Sequence, residues 1–86
     1  MRVFRKTVGM TWISDLFHYL DYTSEKEGFA EAELQIWEEK FNWPNGPRTE
    51  KYLDSMFIEV KFNKRNSYYL DGEKITFENL YRRITA

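Results

Sequence analysis

The chain has 86 residues, a formal net charge of −1 and no cysteine, so disulfides, thiolate nucleophiles and cysteine-based metal sites are excluded. A chain of this length has room for one hydrophobic core, and we expect a single domain over residues 1–86. No apolar run approaches the roughly 18 residues of a membrane span, and we expect a cytoplasmic protein with no membrane partner.

The first two segments predict a strand and a helix. Residues 1–8 are a short β-prone run with three basic side chains, and we expect an edge strand or a basic arm. After it, apolar residues recur at i, i+3, i+4 and i+7, which predicts a first helix over 11–22 with Thr11 as its N-cap. These apolar residues are Ile13, Leu16, Phe17 and Leu20. His18 lies on the polar side of this helix, where a surface residue is expected rather than a metal ligand.

Two further helices are predicted before residue 58. Helical spacing of Ala30, Leu34, Trp37 and Phe41 favours a second helix over 30–41, and a proline on each side of an Asn-Gly pair ends it. Its outer face carries acidic residues, among them Glu31, Glu38 and Glu39. Pro47 suits the first position of a third helix that runs to Phe57. The polar side of that third helix carries Arg48, Lys51, Tyr52 and Ser55.

The region from Ile58 to Phe77 shows the period-two alternation of a β-meander. Asp71-Gly72 lies between two short apolar runs and predicts a type I′ hairpin turn, because that turn requires positive φ at both central residues. Such a turn pairs Leu70 with Glu73 and Tyr68 with Ile75. Beyond it, helical spacing predicts a short last helix over 77–84.

The order of three helices followed by a β-hairpin resembles that of a winged helix. The predicted fold class is therefore α+β and winged-helix-like: three helices, a small antiparallel β-meander and a short C-terminal helix. The resemblance implies that helix 47–57 takes the place of the recognition helix and that the turn 63–66 takes the place of the wing tip.

This arrangement leads to a first hypothesis, a small DNA-binding regulatory protein without catalytic activity. The winged-helix arrangement brings one helical face and one hairpin tip together, where basic side chains could contact phosphate and Ser55 or Arg48 could reach a base edge. The residues proposed to bind duplex DNA are Arg48, Lys51, Tyr52, Ser55, Lys64 and Arg65. An ordinary solvated surface is the alternative explanation of the same charges.

A second hypothesis is a small protein-binding module or inhibitor, of a kind common in phages and mobile elements. It would act through exposed aromatic side chains and the acidic second helix, with Glu31, Glu38, Glu39 and Tyr69 as its contact residues. A homodimer fits either hypothesis. Catalysis, a cofactor and a bound metal are not expected, because the chain has one histidine, no cysteine and no nucleophile motif.

Overall fold

The computed structural model describes residues 1–9, 14–41 and 46–85. In this part of the chain it contains five strands and two helices. In chain order the elements are β1 (Arg2–Thr7), α1 (Ser14–Glu27), β2 (Phe29–Phe41), β3 (Arg48–Asn63), β4 (Arg65–Leu70), β5 (Glu73–Ile75) and α2 (Phe77–Thr85).

The five strands form one mixed sheet in the order β1-β2-β3-β4-β5. β1 pairs with β2 in parallel, and each later neighbour pairs antiparallel. A parallel pair requires a crossover, which α1 provides between β1 and β2. β2 and β3 are much longer than the other strands, so their ends continue past the sheet body as a two-stranded ribbon.

The winged-helix prediction is wrong. The predicted second helix, 30–41, is strand β2, and the predicted third helix, 47–57, is the first part of strand β3. Neither a recognition helix nor a wing beside it exists in the described residues. The predicted order of three helices and a small meander is replaced by a five-stranded mixed sheet with two helices.

The physical reason is visible in β2. From Ala30 to Ile36 apolar and polar residues alternate strictly, and the burial of this strand alternates in the same way. Ala, Leu, Glu and Gln are good helix formers, so local propensity favours a helix in the same segment. Pairing with β1 on one side and β3 on the other satisfies the backbone and overrides that preference.

One face of the sheet is covered by both helices, and the core lies between them. Leu16 and Leu20 of α1 and Leu80 and Ile84 of α2 are buried against apolar residues of β2, β3 and β4. The sheet residues of this core are Ala30, Ala32, Leu34, Ile58, Val60 and Leu70. Leu34 therefore lies in the same buried cluster as Leu16 and Leu20 of the predicted first-helix stripe.

Both terminal helix predictions are confirmed in type. The described part of α1 spans 14–27 and so continues past the predicted end at residue 22, whereas Thr11, Trp12, Ile13 and Trp43 lie outside the described residues. His18 is exposed, as predicted, and its ring stacks on Tyr22. Two residues of the apolar stripe predicted for the second helix lie outside the core: Phe41 is 68% exposed on the ribbon, and Trp37 is only half-buried on the opposite face of the sheet.

The predicted hairpin between β4 and β5 is also confirmed. Leu70 pairs with Glu73 and Tyr68 with Ile75, and φ is +49° at Asp71 and +87° at Gly72. The Asp71 carboxylate accepts the Phe57 N–H at 2.9 Å. This turn therefore also closes the edge of β3 at the point where β4 ends.

Lys6 joins the first strand to the last helix. Its side chain lies on the helix-covered face, is buried, and donates from Nζ to the Ile84 carbonyl near the end of α2. A cation at this end suits the helix dipole, and burial lowers the pKa of Lys6.

Candidate functional site

The second face of the sheet carries neither of the two helices. We call it the open face. Successive side chains of a strand point to opposite faces of the sheet. The residues between the buried positions of β1, β2, β3 and β4 therefore lie on the open face. Its central residues are Val3, Arg5, Glu31, Glu33, Gln35, Phe57, Glu59, Lys61 and Tyr69, and the same register adds Phe29, Ser55, Ser67 and Lys74 at its margins.

Three carboxylates lie side by side near the middle of the open face. Glu31 is directly opposite Glu59, and Glu33 is the next residue along β2 on the same face. Directly opposite Cβ atoms on antiparallel strands are about 5 Å apart, a spacing at which like charges destabilise a sheet. No ion pair neutralises any of the three among the described residues. We call this set the glutamate cluster.

Apolar and aromatic side chains border the glutamate cluster. Phe57 is opposite Glu33, with the 49%-exposed Val3 on the other side of that glutamate. Tyr69 is opposite Glu59, and the Lys61 ammonium lies 4.9 Å from the Tyr69 ring centre. Aromatic side chains are enriched among the residues that anchor protein interfaces.

The ribbon formed by Glu38–Phe41 and Arg48–Lys51, which we call the arm, carries as many acids but neutralises them. Arg48 binds Glu39 and lies 3.9 Å from Glu50, which also forms a 2.9 Å ion pair with Arg5. The bond to Glu39 raises the pKa of Arg48. Ion pairs of this kind help an isolated two-stranded hairpin, which is otherwise marginally stable in water.

Aromatic contacts fix the base of the arm. The Arg5 guanidinium lies 4.0 Å from the Trp37 ring centre, and Trp37 meets Tyr52 edge-on at 5.6 Å. Trp37 Nε1 donates to Gln35 at 3.1 Å. The exposed Tyr52 ring is therefore held by Trp37 rather than projecting freely.

The six residues predicted to bind DNA fall into two groups at opposite ends of β3. Arg48, Lys51 and Tyr52 lie on or beside the arm, with Ser55 farther along β3, whereas Lys64 and Arg65 lie at the β3–β4 turn. Sixteen residues of extended chain separate Arg48 from Lys64, about 50 Å at the usual rise per residue. That is close to the 54 Å longest dimension of the molecule. The structure therefore does not bring them into one basic surface.

The predicted partner-binding residues also separate. Glu31 and Tyr69 lie in one row across the open face, with Glu59 between them. Glu38 and Glu39 belong to the arm, where Lys40 and Arg48 bind them. Glu33, Glu59 and Phe57 were missed. The alternation of Glu31, Glu33 and Gln35 with Ala and Leu was the signal that could have found the first of these.

The free edge of β3 is partly closed by two carboxylates, one from β3 itself and one from the β4–β5 turn. β4 pairs only with Ile58–Asn63, so the preceding part of β3 has no strand on that side among the described residues. Asp71 takes the Phe57 N–H, and Asp54 Oδ1 accepts the Ser55 N–H at 2.8 Å. Occupied donors make edge-to-edge pairing with another strand less favourable here. The open face, rather than this edge, is therefore the larger candidate surface.

A polar network between α1 and β4 was also missed. Asp21 Oδ1 accepts hydrogen bonds from the Tyr68 hydroxyl at 3.0 Å and from Asn66 Nδ2 at 3.2 Å. The fully buried Ser24 donates to Asn66 Oδ1 at 2.9 Å. Burial and the nearby Asp21 carboxylate raise the pKa of Tyr68. This network fixes the position of α1 on the sheet.

Comparison with protein-family models, curated proteins and solved structures gave no significant match. In the parts of the chain that the structure describes, neither helix has the length and apolar character needed to cross a bilayer. Within the same parts, acidic residues and histidine do not come together in a group able to hold a metal ion.

Proposed function

We propose that the protein is a small protein-binding module whose open face receives a partner with a basic surface. The observation that carries this proposal is that the helices cover one face only. The other face presents aromatic and apolar side chains around three carboxylates with no counter-ion among the described residues.

Charge complementarity supports a basic partner. Bringing Lys or Arg side chains to Glu31, Glu33 and Glu59 would relieve their mutual repulsion, and the gain would be largest where the partner excludes water. Phe57 and Tyr69 would supply apolar area beside these contacts. The arm contributes less charge to such an interface because its acids already have cations.

This proposal assigns the protein no catalytic role and keeps the cytoplasm as its compartment, as the sequence predicts. A homodimer also stays a prediction, and light scattering across a concentration series would test it. A second copy could pair edge to edge with β3, but the Ser55 and Phe57 backbone N–H groups there are already bound by Asp54 and Asp71. The proposed partner is therefore a different protein.

The test compares two variants with the same change in net charge. The first replaces Glu31, Glu33 and Glu59 by Gln, and the control replaces Glu25, Glu27 and Glu73, which are exposed and off the open face. Proteins captured by the wild type are identified and purified, and their affinities for all three forms are measured by calorimetry.

The proposal predicts a partner with a basic surface, at least about tenfold weaker binding to the open-face variant, and little change for the control. Affinity should also fall as salt rises. Equal affinity for wild type and open-face variant would contradict the proposal.

Duplex DNA is the competing partner, and a mobility-shift assay over a salt series tests it. Each phosphate contact contributes about 0.9 to the slope of log affinity against log salt. A duplex that contacted Lys51, Lys64 and Arg65 together would have to span most of the length of β3. We expect no shift at low salt, and a shift whose slope falls by about 0.9 for each of these residues replaced would favour the DNA hypothesis instead.

A further inference from the structure

A second feature lies at the far edge of the sheet, where β5 ends before β4 does. β5 has three residues and pairs with Tyr68–Leu70, so among the described residues the start of β4 has no strand on its outer side, opposite to β3. A cavity of about 460 Å³ occupies this position. It is lined by Arg65, Asn66, Ser67, Tyr68, Lys74, Ile75, Thr76 and Phe77.

The charge of this cavity is one-sided. Its lining contains two cations, Arg65 and Lys74, and no carboxylate. Neither cation forms an ion pair with a described residue. The chain as a whole has a net charge of −1, so this lining departs from the average surface in sign.

The cavity on the other side of β5 provides a contrast. It measures about 320 Å³ and places Asp71 and Glu73 with Lys74 and Arg83, so its charges balance. Of these two cavities, only the larger one has cations in its lining without a carboxylate that would repel an anion.

The walls of the larger cavity are aromatic and held in place. Tyr68 and Phe77 pack at 5.4 Å between ring centres, with Ile75 beside them in the lining. Behind them, Asp21 binds both the Tyr68 hydroxyl and the Asn66 amide. Side chains locked in this way form a binding surface that loses little freedom when a ligand arrives.

We propose that this cavity binds a small organic anion that carries an aromatic ring. Arg65 and Lys74 would contact the anionic group, Ser67 and Thr76 would donate hydrogen bonds to it, and the ring would lie against Tyr68 and Phe77. The volume falls within the range of about 300 to 1,000 Å³ that is usual for small-molecule sites. Lys74 lies opposite Tyr69, so the cavity borders the open face, but its lining contains none of the three glutamates and this proposal does not depend on the open-face interface.

The probe is phenyl phosphate, titrated into the ¹⁵N-labelled full chain and followed by amide chemical shifts. We expect saturable shifts at Asn66, Ser67 and 74–77. Inorganic phosphate and phenol, which each lack half of the ligand, should bind at least about tenfold more weakly. Phenylacetate, as a fourth ligand, shows whether a carboxylate serves as well as a phosphate.

The variant Arg65→Gln/Lys74→Gln should weaken phenyl phosphate binding by about tenfold or more, because charge-assisted hydrogen bonds are lost. The control Arg82→Gln/Arg83→Gln changes the net charge equally outside this lining and should bind as the wild type does. The proposal would be overturned if the amide shifts did not change at any phenyl phosphate concentration, or if both variants lost phenyl phosphate affinity equally. Glu31→Gln should leave this binding intact, so failure of the open-face proposal and of this one are distinguishable.

Discussion

Neutralising one member of the glutamate cluster should make the protein more stable. In Glu59→Gln the directly opposite Glu31 loses a like-charged neighbour, and the diagonal Glu33 loses another. Cross-strand charge pairs contribute roughly 0.2 to 1 kcal/mol each, so we expect a gain of about 0.5 to 1 kcal/mol in the free energy of unfolding. For a domain of this size that gain corresponds to a rise of about 2 to 8 °C in Tm.

Urea unfolding at low and high salt measures this effect. At about 1 M salt the Debye length falls to about 3 Å, so the repulsion is screened and the gain of the variant should disappear. Glu73→Gln is the matched control, because Glu73 faces Leu70 rather than another carboxylate. It should change the free energy of unfolding by less than about 0.5 kcal/mol.

A neutral or destabilising Glu59→Gln at low salt would refute the reasoning, since it would mean that a cation or solvent already compensates the cluster. A stabilised variant that also loses its partner would show that the wild-type charge pattern is kept for binding at the expense of stability. Such an opposition between function and stability is common at binding surfaces.

Three further changes test the fold. Leu34→Ala, at a core position that is 1% exposed, should lower the free energy of unfolding by about 2 to 5 kcal/mol, measured by denaturant unfolding. Gly72→Val should lower it by about 1 to 3 kcal/mol although nothing crowds its Cβ, because φ there is +87°, and a loss below a few tenths would place the strain elsewhere. Tyr68→Phe removes a donor to Asp21 and should lower stability by about 1 to 2 kcal/mol at neutral pH. Because the pKa of Tyr68 is raised in the folded state, the folded protein keeps the Tyr68 proton at an alkaline pH at which the unfolded chain loses it. The stabilisation is therefore fully present below about pH 10 and is lost as the pH rises through the raised pKa. Tyr68→Phe should not show this alkaline decline in stability.

The second half of the sheet could be predicted from sequence because its signals are local. Asp71-Gly72 determines its turn through two positive φ angles, and the register of β4 and β5 follows from the turn. The two helices that exist have apolar stripes that no strand pattern imitates. Where the backbone conformation depends on neighbours within a few residues, the prediction was right.

β2 and β3 could not be predicted in the same way. β2 satisfies both periods at once, since Ala30 and Leu34 fit a helical stripe and also belong to a strict alternation. The deciding interaction is the parallel pairing with β1, whose residues lie about thirty positions earlier. Pro47, immediately before β3, is as compatible with the first turn of a helix as with the entry into a strand.

The same limit explains how much of the site was predicted. Glu31 and Tyr69 were chosen as contact residues for a helix and a hairpin, and the sheet brings them into one row by a different arrangement. Lys64 and Arg65 were placed correctly at a hairpin tip. Their convergence with Arg48 depended on a helix that does not form, and an extended β3 separates them by its whole length.

The glutamates of β2 differ in their surroundings: Arg48 binds Glu39 across the arm and Lys40 binds Glu38 along the same strand, whereas Glu31 and Glu33 have no ion pair among the described residues. A bulge between Ile36 and Trp37 adds one residue to β3, so Trp37 faces Tyr52 and Glu38 faces Lys51 beyond it. Before the bulge, Glu31 faces Glu59 instead of a cation. The acids of β2 are alike in sequence, yet those of the arm acquire cations and those of the open face do not. The surface proposed to bind a partner therefore depends on the strand register that places Glu31 opposite Glu59, and the proposed basic partner would supply the cations that this register leaves out.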